Sequence, residues 1–231
     1  MWGGCSDLED LLNTYNLEQK EYTEAKQLIK SLIDNRISKY NNQNINLSNT
    51  SLVNDLKYKK NSKVLIIEQS YGDQSLRLGL APESIFQTMI DDAIKENPNA
   101  MIYFKRHPDN INNHVRTQVH LDQNVLVLEQ ENPLSVLPYV DKVYVATSQL
   151  GLEALFCGKE VHVYGFPFYA GWGLTIDRIS SPRRKRKLSL EELFYIVYVK
   201  YSRYVLDGVG CSLNDVIKEI IRLREKYIKN Q

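Results

Sequence analysis

The sequence predicts an α/β fold in which helices cover a parallel sheet, and three observations predict it. Short apolar runs rich in β-branched residues recur from Lys63 onward: VLIIEQ (64–69), MIYFK (101–105), VLVLE (125–129), KVYVAT (142–147) and VHVYG (161–165). Such continuous runs suit strands buried on both faces. They alternate with helix-sized segments, the spacing of βα units around a parallel sheet. The third observation is a hydrophobic share of 43% in 231 residues, enough core for one globular unit or two small ones.

Taken in order, residues 1–5 read as a short irregular lead. Ser6-Asp7-Leu8-Glu9 then offers an N-cap hydroxyl with acids in the first turn, predicting a helix over 7–15. A second helix is predicted over 17–40, where Leu28 with Leu32 and Ile29 with Ile33 form an apolar stripe. The Asn-rich stretch NNQNINLSNTS (41–51) reads as a loop or linker. Between the strands, helices are predicted over 82–97, 134–139 and 150–157. Pro82 suits a first turn, and Asn97-Pro98 and Gly158 act as stops. Two closing helices follow, over 189–204 and 212–228; SLEEL carries early acids behind a capping serine. The expected organisation is a helical segment with linker (1–60), a Rossmann-like domain of about five strands (61–180) and C-terminal helices (181–231).

A net charge of +1 gives no global electrostatic case for binding nucleic acid. Cys5, Cys157 and Cys211 show no paired metal spacing. An odd cysteine count without a secretory leader predicts a reducing compartment. No apolar run approaches the roughly 20 residues that cross a bilayer. The expectation is a cytoplasmic protein that touches a membrane only peripherally, from that side. His114, His120 and His162 match no metal-site spacing, and no metal is expected. RRKRK (183–187) reads first as a solvated loop, and second as a patch for an anionic membrane or a phosphorylated acceptor.

In open α/β sheets, ligands bind at the carboxyl ends of strands. The strand exits carry Gly72, Asp73 and Ser75; Lys105, Arg106, His107 and Asp109; and Thr147-Ser148-Gln149 at a helix start. Each alone is weak, since Asp73 reads as a turn residue and Thr147-Ser148 as an N-cap. Together they assemble hydroxyls, a base and an imidazole of the kind that holds a nucleotide phosphate. Glu153, five residues past Ser148, is placed to accept from ribose hydroxyls. The fourth exit leads into GFPFYAGWGLTIDR (165–178), where Pro167, Gly171 and Gly173 exclude a helix and no alternation supports a strand.

QSYGDQS, FKRHPD, TSQLGLEALFCGKEVHVYGFPFYAGWGLTIDR and RRKRKLSLEELFYIVYVKYSRY together resemble the capsule polysaccharide biosynthesis family, whose KpsC-type members are β-Kdo transferases. The resemblance covers nearly the whole chain; PFYAGWGLT is its most specific stretch, and SKYN (38–41) also fits. It implies one half of a GT-B-like retaining glycosyltransferase. The donor is CMP-Kdo, no cofactor is implied, and the acceptor is a lipid of the phosphatidylglycerol type at the inner face of the membrane. By motif, His107 and Thr147-Ser148 resemble the residues that hold CMP, and Glu153 matches the acid that follows them. Lys105 and Gln149 stand with these as substrate-binding residues. Asp73 falls in the family's Q-x-x-x-D segment and is the candidate catalytic carboxylate at the reacting carbon. Tyr169 and Trp172 are expected to wall the donor and acceptor cleft.

One departure bears on activity. The family carries an N-terminal Rossmann domain with a Glu-Asp-Gly motif ahead of the Ser-Asp-Leu-Glu region, and no such motif occurs here. A separate N-terminal transferase domain is therefore an expected partner. The competing reading is a non-catalytic module that binds a nucleotide sugar or a partner. A phosphate-handling enzyme of another class is disfavoured, because the chain has neither a P-loop nor a GxGxxG motif.

Overall fold

A computed structural model describes residues 6–38, 50–58, 60–113 and 119–229. The lead over 1–5, the linker as far as residue 49, the SKYN motif beyond Ser38, and His114 lie outside the described residues. The helices are α1 (Asp7–Thr14), α2 (Gln19–Asp34), α3 (Thr50–Tyr58), α4 (Gln74–Leu78), α5 (Ile85–Glu96), α6 (Pro108–Asn112), α7 (Pro133–Val136), α8 (Leu150–Phe156), α9 (Leu190–Phe194) and α10 (Leu213–Lys229). The strands are β1 (Lys63–Ile67), β2 (Met101–Lys105), β3 (Val125–Leu128), β4 (Lys142–Val145), β5 (Glu160–Val163), β6 (Ile176–Asp177), β7 (Tyr204–Leu206) and β8 (Val209–Cys211). They form two compact units, one of residues 45–182 and one of 1–44 with 183–231.

The first unit is a parallel sheet in the order β3-β2-β1-β4-β5-β6. The chain steps outward from β1 through β2 to β3, then returns to the other side of β1 for β4. The exits of β1 and β4 therefore diverge, and this switch point is where α/β sheets open a crevice for ligands. All five residues of β1 are buried. Val64 and Ile66 face the core made with Phe86, Met89, Ile90 and Ala93, which recur along α5 at the spacing of one helical face. The last predicted strand is joined by β6, inside the segment read from sequence as irregular. Its pairing is only two residues long, His162 with Ile176 and Val163 with Asp177, too short for any alternation to register. A polar seam on α5 secures that end of the segment. Tyr164 donates to Asp92 at 2.7 Å, Tyr144 to Glu96 at 2.7 Å, and Arg178 to both Glu96 and the Tyr164 hydroxyl.

In the second unit, the basic run is neither a solvated loop nor a free patch. Glu9, 6% exposed, accepts from Arg183 at 3.0 Å and Arg184 at 3.1 Å. Arg186 donates to the Tyr15 carbonyl at 2.9 Å and to Glu192 at 2.5 Å, while Lys185 and Lys187 stay exposed. Glu21 is also internal: it accepts from the Tyr15 hydroxyl (2.8 Å) and the Glu18 N–H (2.8 Å), with the Lys200 ammonium at 3.0 Å. Burial pushes its pKa up, but these donors outweigh burial and hold it at about 2. The predicted helix over 189–204 begins with the Ser189 capping box but widens to a π-helix at Tyr195–Tyr201. The chain then turns through Asp207-Gly208, both at positive φ, into the β7–β8 hairpin. Among the described residues, no helix is long and apolar enough to cross a membrane.

Candidate functional site

At the switch between β1 and β4, one side chain joins both exits. Gln69, just past β1 and 5% exposed, places Nε2 at 3.1 Å from Asp73 Oδ2, 3.0 Å from Ser75 Oγ and 3.0 Å from Thr147 Oγ1. Its Oε1 accepts the Thr147 N–H at 2.8 Å, and the Ser75 and Thr147 hydroxyls lie 3.0 Å apart. Thr147 is held from its other side as well, because its methyl fits between Gly79 and Gly165, where a Cβ on either glycine would intrude. Asp73 N-caps α4 through Oδ1, which accepts the Ser75 N–H at 2.8 Å. Asp73 and Thr147, 74 residues apart in sequence, thus share one hydrogen-bonded knot.

His107 joins the same edge through α6. Asn110 of that helix donates to the Gln69 carbonyl at 3.0 Å and accepts the Tyr71 N–H at 2.8 Å. The His107 backbone N–H donates to the buried Glu68 carboxylate at 2.6 Å. Its Nδ1 accepts the Asp109 N–H at 3.2 Å, so the neutral ring carries its proton on Nε2 and presents a donor there. Burial lowers the His107 pKa against the pull of Asp109, Glu68 and Asp73, which favours that neutral form. Beyond it lies a cavity of about 500 Å³, with Glu68, Arg106, Glu129 and Glu131 as charged lining and Phe104, Leu121 and Val127 as apolar walls.

Three sequence expectations need correction on side-chain placement. Lys105 is 4% exposed, and its ammonium donates to the Arg106 and Glu129 carbonyls, both at 2.8 Å. It ties the β2 and β3 exits together and does not offer its charge to a ligand. Tyr169 and Trp172 are both 0% exposed. The Tyr169 hydroxyl donates to the Ser148 carbonyl at 2.5 Å, and Trp172 Nε1 donates to the Phe168 carbonyl at 2.8 Å. Apolar rings with polar tips satisfied by nearby carbonyls are best buried, so Tyr169 and Trp172 pack inward and do not wall a cleft. Tyr169 straps the start of α8 from beneath.

Along α8, Ser148 is half-buried and its hydroxyl accepts the Leu150 N–H at 3.3 Å. Gln149 is exposed, and Glu153 is half-buried one turn on. Sequence reasoning placed Gln69 in the Q-x-x-x-D segment without giving it a role, and missed Glu68 and Asn110. Gln69 and Glu68 read as the polar end of a strand; the usable signal was that two polar side chains closed an otherwise apolar run at a switch-point strand.

Residues 7–204 match the family model described as capsule polysaccharide biosynthesis protein. The chain is 36% identical over 242 residues to the capsule polysaccharide modification protein LipA of Neisseria meningitidis serogroup A, covering 97% of this chain and 33% of LipA. It is 41% identical over 155 residues to the lipopolysaccharide-processing protein LpsZ of Rhizobium meliloti, covering 65% and 35%. The chain spans about a third of the length of these curated relatives. Among solved structures it is similar to a Thermosulfurimonas dismutans KpsC β-Kdo 2,4 transferase, with 39% identity, a TM-score of 0.83, and coverage of 93% of this chain and 67% of that one. A KpsC β-Kdo 2,7 transferase from the same organism is 28% identical, with a TM-score of 0.70 and coverage of 94% and 67%. With a matching model over most of its length and the sheet order and strand exits just described, the chain belongs to the capsule polysaccharide biosynthesis protein family.

Proposed function

We propose that this chain is the donor-binding half of a GT-B-like retaining β-Kdo transferase. It takes Kdo from CMP-Kdo, and the acceptor is a lipid-linked, phosphatidylglycerol-type molecule at the inner face of the cytoplasmic membrane. A second, N-terminal transferase domain supplies the other wall of the cleft. The observation that carries this reading is the knot of Gln69, Asp73, Ser75 and Thr147 at the topological switch, with the His107 Nε2 donor tethered beside it.

In this reading the phosphate of CMP accepts from His107 Nε2–H and from the hydroxyls of Thr147 and Ser148, and Glu153 accepts from ribose hydroxyls. Gln149 lies at the exposed rim. The Asp73 carboxylate attacks the anomeric carbon as the C–O bond to phosphate breaks and CMP leaves with the electron pair. The acceptor hydroxyl then displaces Asp73 from the opposite face, restoring the free carboxylate and releasing its proton to solvent, so two inversions give net retention. Gln69 fixes the carboxylate's direction, which is the positioning such a displacement depends on.

Calorimetry with CMP tests the reading. His107→Ala should weaken binding at least about tenfold, roughly 1.4 kcal/mol. Equal affinity in both proteins removes His107 from the site. Kdo transfer measured with and without the N-terminal domain tests the two-wall requirement; robust turnover by this chain alone overturns it.

A further inference from the structure

The loop that carries Asp73 is placed by polar contacts. Residues 70–73 leave β1 with Tyr71 64% exposed and Gly72 exposed at φ +75, where an added Cβ would meet nothing within 4 Å. Packing therefore does little to fix this loop, and its backbone N–H groups do more. Asp73 N–H donates to the Ser70 carbonyl at 3.1 Å, Gly72 N–H to the exposed Glu83 carboxylate at 2.9 Å, and Tyr71 N–H to Asn110 Oδ1 at 2.8 Å. Of the two side-chain acceptors only Asn110 is buried, at 2% exposure, and a hydrogen bond sheltered from water is the stronger anchor. The same amide donates to the Gln69 carbonyl at 3.0 Å. A C=O and the N–H two residues on are the pair that one residue of a parallel neighbour would engage. β2 has ended by then, its Lys105 carbonyl accepting the Glu68 N–H at 3.0 Å, so the Asn110 side chain extends the pairing from α6. That helix is capped by His107, whose carbonyl accepts the Asn110 N–H at 3.1 Å. The imidazole and the Asn110 amide therefore belong to one turn and move together.

We propose that Asn110 is a positioning residue, which passes the seating of a phosphate on His107 to the loop that aims Asp73. A helix of five residues is marginal by itself. With the site empty α6 opens readily, and the loop opens with it because Asn110 joins the two. A phosphate held by His107 Nε2–H closes both, so the carboxylate is fixed when a donor is present. The coupling rests on the nucleotide-binding reading above, and adds how an occupied phosphate position readies the reacting group.

Amide-resolved hydrogen exchange of the full chain, with and without CMP, tests the coupling. An opening that breaks the phosphate contact is suppressed in proportion to occupancy. With CMP about a hundredfold above Kd, the Tyr71 N–H should exchange at least about tenfold more slowly than without it. In Asn110→Ala, CMP should still bind by calorimetry but slow that amide by less than about twofold. Glu83→Ala is the control for plain loosening: it should speed exchange at Gly72 and keep the CMP-dependent slowing at Tyr71. His107→Ala, saturated at a higher CMP concentration, should also lose the slowing with Asn110 intact, so the test stands even where Asn110→Ala does not fold. Full slowing in Asn110→Ala or in saturated His107→Ala, loss of CMP binding in Asn110→Ala, or no slowing in the parent overturns the coupling and leaves nucleotide binding standing. Failure of the parent to bind CMP overturns the nucleotide reading, and the coupling with it.

Discussion

Gly151 is the second residue of α8, where helix propensity alone favours alanine by up to about 1 kcal/mol. The packing predicts the opposite. A Cβ at Gly151 would press into the Tyr169 hydroxyl, with Val145 Cγ2 at 2.9 Å and Tyr169 Cζ at 3.0 Å. Tyr169 is fully buried and its hydroxyl is fixed on the Ser148 carbonyl, so the ring cannot swing away cheaply. Overpacking typically costs about 1–3 kcal/mol, and parting Tyr169 from a buried carbonyl adds about 1 kcal/mol. Set against the propensity gain of up to about 1 kcal/mol, Gly151→Ala should destabilise the sheet unit by about 1–3 kcal/mol. Tyr169→Phe alone should cost about 1–2 kcal/mol, through the lost hydrogen bond. The double variant should cost about 2 kcal/mol and not the sum, because removing the hydroxyl makes room for the methyl. Urea unfolding followed by fluorescence of Trp172, buried three residues from Tyr169, measures all four corners of the cycle. A neutral or stabilising Gly151→Ala, or a strictly additive double variant, would refute the strap.

Gln69→Leu keeps volume but strands the Thr147 N–H and loosens Asp73 and Ser75; it should cost about 3 kcal/mol of stability and abolish CMP binding by calorimetry. Glu21 has a folded-state pKa of about 2 against an ordinary 4.5. Its stabilisation is present above the unfolded value and lost as pH falls through that window. Glu21→Gln should flatten the acid limb of the urea midpoint between these values, and at neutral pH should cost on the order of 2 kcal/mol, with the half-exposed Lys200 partner partly screened. Asp73→Asn should keep the α4 cap, since asparagine caps as well. In the assembly with the N-terminal domain it should leave CMP affinity within twofold and reduce transfer at least about a thousandfold, roughly 4 kcal/mol of barrier; a residual tenth of activity would assign Asp73 to the cap alone.

The sheet was legible because buried parallel strands have to be continuously apolar: 101–105 was placed to the residue, and 64–69 overran β1 only by Glu68 and Gln69. Those two residues are the instructive failure. A polar strand end looks idle in sequence, while in the fold Gln69 turns back across the switch to a partner 78 residues away. Aromatic content at 165–178 was legible, but its facing was not. Tyr169 and Trp172 are inward because carbonyls of Ser148 and Phe168 satisfy their polar tips, and only the fold brings those groups together. Arg183 and Arg184 misled for the same reason, since their acceptor Glu9 lies near the other end of the chain. The helix expected over 189–204 stops at Tyr201, because Tyr204 already belongs to the hairpin that turns at Asp207-Gly208.

The distribution of charge across the sheet edge bears on how a donor would be oriented. A phosphate placed in the cavity beside β3 would face Glu68, Glu129 and Glu131, offset by Arg106 in the lining and by the buried Lys105 ammonium that interacts with all three. At the switch, the same phosphate would meet the hydroxyls of Thr147, Ser75 and Ser148 and a neutral imidazole donor, with Asp73 the one carboxylate held in the knot. Like-charge repulsion in a partly desolvated cleft is worth several kcal/mol, far more than the difference between two good hydrogen bonds. On the proposed reading, this charge pattern favours the phosphate at the switch beside β4 over the cavity beside β3. A phosphate placed in the cavity instead would sit among carboxylates and away from Asp73.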